Sequence, residues 1–254
     1  MDARSFYEGL GDEYDVMVSW EERLAREELF FRRVLDASGV RSVLDAACGT
    51  GMHAVAFALR GLQCAAADLS PAMIEKAREN ARAAGVDVRF EVAAFGELAR
   101  LFPAHFDAVT CLGNSLPHLP DDPSLAAALG DFAAVLASGG VLVIQNRNYD
   151  RVLREKARFM PLTSRADAGG ETLFLRITDF LGGEALSFSI VTLKKREEAW
   201  GQTVKTTPLR AIRRETLECA LRGAGFRSVE TYGSFAFAPF DEPGTGDLVA
   251  IAKK

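Results

Sequence analysis

The stretch Val43-Leu-Asp-Ala-Ala-Cys-Gly-Thr-Gly51 continues as Met52-His-Ala-Val-Ala-Phe-Ala-Leu-Arg-Gly61, and its reading decides the fold. An apolar run meets an acid, then small residues, then Gly49-Thr50-Gly51, then apolar residues at helical spacing. This is a strand handing over to a helix. Glycines at such a junction serve a tight turn, or let a ligand approach the backbone closely. On these residues alone both readings stand.

Working outward, strands and helices alternate. Upstream, residues 1–39 read as helical, with Trp20, Leu24, Phe30, Phe31, Val34 and Leu35 at roughly helical spacing and Ser38-Gly39 as the stop. Downstream, Cys64 to Ala67 reads as a second strand ending at Asp68. Ser70 is the expected cap and Pro71 the first residue of a helix that closes at Gly85. Further strands are expected at Val88 to Val92, Phe106 to Leu112 and Val141 to Gln145. Ser124 is the expected cap of a helix from Leu125 to Leu136, and Gly139-Gly140 a turn. A helix from Arg213 to Ala224 and strands at Ser228 to Tyr232 and Leu248 to Ala252 close the chain. Short apolar strands alternating with helices predict an α/β fold: a Rossmann-like, doubly wound, mostly parallel seven-stranded sheet.

One segment breaks the rhythm. Thr172 to Phe180 and Leu186 to Lys194 flank Gly182-Gly183 as an antiparallel hairpin, with a third extended run near Thr203 to Leu209. The expected organisation is a helical cap over 1–39 and a core of 40–150 and 211–254. Residues 151–210 are expected to form an inserted antiparallel sheet that lids the pocket.

The chain has 254 residues, 48% hydrophobic and 26% charged, with a net charge of -5. That is an ordinary globular composition, and its acidity argues against a nucleic-acid partner. Four cysteines, Cys48, Cys64, Cys111 and Cys219, share no metal-ligand spacing with the three histidines, and read as free thiols. The acidic N-terminus does not resemble a signal peptide, and no apolar run suits a membrane span. A cytoplasmic enzyme without membrane contact is expected; a homo-oligomer stays open.

Gly49, Gly51 and Ala54 would satisfy a loose dinucleotide fingerprint, but the acid of Asp45-Ala-Ala-Cys-Gly49 does not belong to it. Asp45-Ala-Ala-Cys-Gly-Thr-Gly51 instead resembles the first motif of class I S-adenosylmethionine-dependent methyltransferases. That resemblance implies S-adenosyl-L-methionine as cofactor and S-adenosyl-L-homocysteine as its product. Asp45 would suit the ammonium group, and Ala47, Gly49 and Gly51 would form the turn beneath it. Asp68, 19 residues after Gly49, would accept both ribose hydroxyls. The other reading of Asp68 is a helix cap beside Ser70. Leu69 and Met73 would flank the adenine, with Ala94 and Phe95 as its other wall. Many relatives carry Asp or Asn where Ala94 stands, so here backbone groups would serve the adenine's polar edge, or the adenine would bind less tightly.

Cys111-Leu-Gly-Asn-Ser-Leu-Pro-His-Leu-Pro120 and Ile144-Gln-Asn-Arg-Asn-Tyr-Asp150 narrow the resemblance. Both resemble the corresponding segments of the glycine N-methyltransferase and glycine/sarcosine methyltransferase family, over roughly residues 14–153. By that resemblance Arg23 would hold the carboxylate of the cofactor's methionine end. Tyr14, Leu112 and His118 would contact the cofactor, and Asn114 and Arg147 would grip the acceptor's carboxylate. An arginine's planar fork suits a carboxylate. His118 is the candidate base, should the acceptor be a hydroxyl.

The expected function is methyl transfer to a small molecule, foremost the amino group of glycine or sarcosine. A small-molecule O-methyltransferase and a non-catalytic cofactor-binding module are the alternatives.

Overall fold

The chain is described here by a computed structural model over residues 2–167, 170–197 and 199–254. Strands β1 (Ser42–Asp45), β2 (Gln63–Asp68), β3 (Val88–Val92), β4 (Phe106–Cys111) and β5 (Leu136–Arg147) run parallel in one sheet. The next four, β6 (Thr163–Asp167), β7 (Gly170–Gly182), β8 (Ala185–Arg196) and β9 (Ala199–Arg210), form a separate antiparallel sheet in chain order. The chain then returns through β10 (Ser228–Tyr232) and β11 (Asp247–Lys253). The first sheet is ordered 3-2-1-4-5-11-10, with β11 antiparallel to both neighbours. Strand order reverses between β1 and β4, and sheets of this kind bind ligands beyond the carboxyl ends of the strands at that point.

Burial explains the layers. Leu44, Val109, Leu142 and Ile144 are fully buried between helices that cover both faces of the sheet, each worth roughly 1.5–3 kcal/mol. The start of β1 is pinned by Asp107, whose carboxylate accepts from the backbone N–H groups of Arg41 and Ser42, both at 2.9 Å. Among the described residues no helix is long and apolar enough to cross a membrane.

Three short helices, α1 (Ala3–Glu8), α2 (Gly11–Val18) and α3 (Trp20–Phe31), precede the sheet. The sequence predicts one helical run; it breaks at a turn through Gly9 and Leu10 and again at Ser19, with φ of 51°. Helix α4 (Met52–Leu59) follows the glycine turn. Helix α5 (Pro71–Ala84) starts as expected: Ser70 Oγ accepts from the Met73 N–H at 3.3 Å, and Gly85 ends it with φ of 69°. A short helix, α6 (Leu98–Leu101), follows β3.

The next helix departs from expectation. α7 (Asp122–Val135) is capped by Asp121, whose carboxylate accepts from the Ser124 N–H at 2.8 Å, so Ser124 lies inside the first turn. Pro123 favours that register, because it needs no backbone donor there. Gly139-Gly140 is also not a free turn. β5 begins at Leu136 and runs through it, and the pairing with β4 shifts register between Phe106 and Ala108. Helix α8 (Tyr149–Glu155) and strand β6 were not foreseen. Helix α9 (Arg214–Gly223) ends before Gly225 as expected.

Candidate active site

The two glycines of the turn do different things. Gly51 has φ of 87°, and a Cβ on it would lie 2.9 Å from the Cβ of Ala77. It is small because α5 packs against it. Gly49, with φ of 54°, would place a Cβ 3.7 Å from one ring carbon of Tyr14 and near nothing else. It presents bare backbone to an open cleft.

Asp68 sits at the tip of β2. Its Oδ2 accepts from the Gly49 N–H at 2.8 Å and its Oδ1 from the Ser70 N–H at 2.9 Å. Burial raises its pKa, opposed by the hydrogen bonds from Ser70, Gly49 and Leu69. The helix cap beside it is Ser70, so the carboxylate's remaining lone pairs stay available. Asp45 lies deeper. It is 1% exposed, Oδ1 accepts from Thr110 Oγ1 at 3.1 Å, and Oδ2 is buried without a partner. Burial pushes its pKa up to about 6.

A cleft of about 1120 Å³ opens over this turn. Asp68 and Leu69 lie on one side, Ala94, Phe95 and Leu112 on the other. Ala47 and Gly49 form its floor, and Tyr14 and Arg23 close one end. Those nine candidate residues are therefore brought together. Three others are not in the lining. Asp45 and Gly51 lie behind it. Met73, 1% exposed, packs instead with Phe6, Leu10, Phe174 and Ile190, a core role that also ties α1 to α5 and the antiparallel sheet. The Ala94 N–H is taken by Glu97 Oε2 at 2.8 Å, so that backbone donor is not free for an adenine edge.

Among the described residues Arg23 is held by Glu27. Its Nε donates to Glu27 Oε1 at 2.9 Å, and Glu27 Oε2 lies 2.7 Å from His53 Nε2. Burial alone would raise Glu27, but His53 and Arg23 together hold it below the ordinary carboxylate range. The Nη end of Arg23 lies beside the cleft at Gly113, where a Cβ would be 3.8 Å from Nη1.

A second cavity, of about 1150 Å³, shares Tyr7, Tyr14, Val18, Arg23, Gly113 and His118 with the first. Asn114 and Arg147 line it. Asn114 adopts φ of 68°. Its Oδ1 accepts from the Arg147 N–H at 3.0 Å and its Nδ2 donates to Tyr149 Oη at 2.9 Å. This amide holds the Arg147 backbone. Arg147 itself has no acidic side chain against its guanidinium among the described residues. His118 Nε2 lies 3.1 Å from Tyr7 Oη, and its Nδ1 is buried without a partner. Burial pushes the His118 pKa down to about 4, so the ring is neutral at pH 7.

Several site residues were invisible to motif reading. Thr50 donates to the Asp15 carboxylate and so binds α2 over the turn, while Trp20 Nε1 donates to Asp15 Oδ1 at 2.9 Å. Gln145 links the Gly113 N–H, at 2.9 Å, to Asp247 Oδ1, at 2.8 Å. Arg176 of β7 reaches the second cavity from the antiparallel sheet. Only its place in the strand alternation, between Phe174 and Thr178, could have signalled this.

A doubly wound sheet with a glycine turn after β1 and an acid at the tip of β2 defines a nucleoside-binding α/β fold. S-adenosylmethionine fits the cleft: bare backbone at Gly49, an acceptor carboxylate at Asp68, apolar walls at Leu69 and Phe95, and a guanidinium end at Arg23. Comparison with known proteins agrees. The family model described as "Methyltransferase domain" matches residues 43–140. A glycine/sarcosine N-methyltransferase of Parasynechococcus marenigrum is 39% identical over 150 residues, 59% of this chain. That match spans about half, 53%, of the relative's length. The glycine/sarcosine N-methyltransferase of Aphanothece halophytica is 30% identical over 230 residues, 91% of this chain and 83% of the relative. A crystal structure of an S-adenosylmethionine-dependent methyltransferase from Clostridium acetobutylicum shares the fold, with a TM-score of 0.81 at 18% identity over 97% of this chain and 98% of that one. The chain belongs to the S-adenosylmethionine-dependent methyltransferases, in the family of the glycine/sarcosine N-methyltransferases.

Proposed function

We propose that this chain transfers a methyl group from S-adenosylmethionine to the amino nitrogen of a small amino acid, foremost glycine or sarcosine. One observation carries the reading. Two cavities meet at a wall of Tyr7, Tyr14, Gly113 and His118, and the second is lined by an arginine, Arg147, that forms no salt bridge among the described residues. A non-catalytic cofactor-binding module has no need of that second cavity.

In the first cavity Asp68 would accept the ribose hydroxyls, Leu69 and Phe95 would enclose the adenine, and Arg23 would hold the methionine carboxylate. When bound, the cofactor supplies an electrophilic methyl on a sulfonium. The acceptor nitrogen must be neutral and aligned opposite the sulfur. The wall between the cavities sets that alignment, and orientation of this kind is worth roughly 7–11 kcal/mol in favourable cases. Arg147 would grip the acceptor carboxylate, and Asn114 would act by fixing the Arg147 backbone. His118, with its pKa near 4, is too weak a base to take a proton from an ammonium or a hydroxyl. Its work is to hold the wall with Tyr7. The absence of a poised base there favours an amine over a hydroxyl acceptor.

Helices α1 to α3 read as a cap over 1–39. The core is 40–150 with 211–254, and 151–210 is a lid that helps exclude water. The test is transfer of labelled methyl to a panel of glycine, sarcosine, larger amino acids, methylamine and phenols. Product on the amino acids, with methylamine a poor acceptor, is expected. Product on phenols alone would overturn the reading.

A further inference from the structure

Arg176 stands where a strand should carry an apolar residue. On β7 it shares a face with Phe174 and Thr178, which are 0% and 1% exposed. Side chains two apart on a strand point the same way, so this guanidinium is on the inward face. It lines the second cavity together with Arg147. Its Nη2 donates to Pro161 O at 3.0 Å and to Thr163 Oγ1 at 2.9 Å, but its Nε is buried without a partner. No carboxylate pairs with it among the described residues. Burial, and then the positive charge of Arg147, lower its pKa. Four arginines and two acids line this cavity. Glu27 is taken by Arg23 and His53, and Asp247 accepts from Gln145 with Arg26 and Arg23 nearby. That leaves Arg147, from the end of β5, and Arg176, from the antiparallel sheet, with no carboxylate bonded to either among the described residues. Leaving such groups inward is costly unless an anion completes the site.

We infer that Arg176 is a second anchor for the acceptor: Arg147 and Arg176 close on its carboxylate from two different sheets, so the inserted sheet reads the acceptor directly. The inference rests on the amino-acid reading above and extends it. A planar carboxylate offers about four lone-pair directions, enough for a fork from Arg147 and a further bond from Arg176. The acceptor class is accordingly an amine bearing a carboxylate, and neutral amines of similar size lack the group that both arginines need.

The experiment uses the full chain saturated with S-adenosylhomocysteine, with acetate as the minimal carboxylate probe and glycine as the amine-bearing one, both titrated calorimetrically. Steady-state KM for glycine is measured in parallel. Arg176→Gln is expected to weaken acetate and to raise the glycine KM by about 10- to 100-fold, with S-adenosylhomocysteine affinity unchanged. Arg176→Lys, which keeps the charge without the fork, should recover part of the loss. Thr163→Ala removes the brace at 2.9 Å but leaves the guanidinium, and should bind both probes like wild type. If Arg176→Gln does not fold, the lysine variant decides: wild-type affinity there overturns the inference. If Arg176→Gln binds both probes normally while Arg147→Gln does not, the second anchor is wrong and the functional reading stands. A wild-type protein that binds neither probe and methylates only amines without a carboxylate overturns both.

Discussion

The cleft over the glycine turn and the cavity beside it touch along a few side chains, yet they are built in opposite ways. The cleft takes its decisive groups from a short stretch of chain, where β1, β2 and the helices after them place Gly49, Asp68 and Leu69 by local turns and caps. The second cavity gathers Tyr7 and Tyr14 from the first two helices, Asn114 from the loop after β4, Arg147 from β5, Arg176 from β7 and Asp247 from β11. Local construction fixes which cofactor can bind. Long-range construction lets the second cavity's lining change without disturbing the turn and caps of the first.

Separation of the two sites can be broken most sharply at Arg147. Arg147→Gln is expected to raise the KM for glycine about 10- to 100-fold and to leave S-adenosylhomocysteine affinity within twofold. A parallel loss of both would mean the cavities are one site. The two turn glycines sharpen the comparison next. Gly51→Ala meets Ala77 at 2.9 Å, and should cost about 1–3 kcal/mol of stability, read as a melting temperature lower by several degrees. Gly49→Ala has open space before it, so its larger effect should fall on cofactor affinity.

Asp45 gives a smaller, pH-dependent signal. Its pKa is near 6 in the folded chain, above the unfolded value of 3.8. Folding therefore favours the protonated acid. The charged form costs stability above pH 6, and the cost disappears as pH falls through 6 towards 4. Asp45→Asn should be more stable than wild type at pH 8, on the order of 1 kcal/mol, with the advantage shrinking as pH falls below 6 and gone only below the unfolded value of 3.8. An advantage that grew on acidification would contradict the buried charge. The least effect is expected at His118. His118→Asn should change kcat/KM for glycine less than tenfold. The wild-type profile should rise with pH as the amine loses its proton, with no limb near 6.5.

Legibility in the sequence follows the same division. The alternation of strands and helices, the turn, Asp68, and the Ser70-Pro71 start of α5 were all readable, because each rests on residues a few positions apart. The boundary at Ser124 was misread because Asp121 competes for the same cap, and β5 was cut short because glycines within a strand look like a turn. The family resemblance puts Met73 beside the adenine, but cluster packing with Phe6 and Phe174 claims it. Arg176 and Asp247 reach the second cavity only through the register of two sheets, which no local pattern encodes. Glu27 and His53, 26 residues apart, meet only because α3 packs beside α4.

The most direct test of the central assignment is calorimetric titration of S-adenosylhomocysteine into the wild-type protein and into Asp68→Ala. The account predicts micromolar binding by the wild type and a loss of roughly 100-fold or more in the variant, since Asp68 holds the Gly49 turn and, on the proposed reading, would accept from the ribose. No binding by the wild type, or equal binding by the variant, would contradict it.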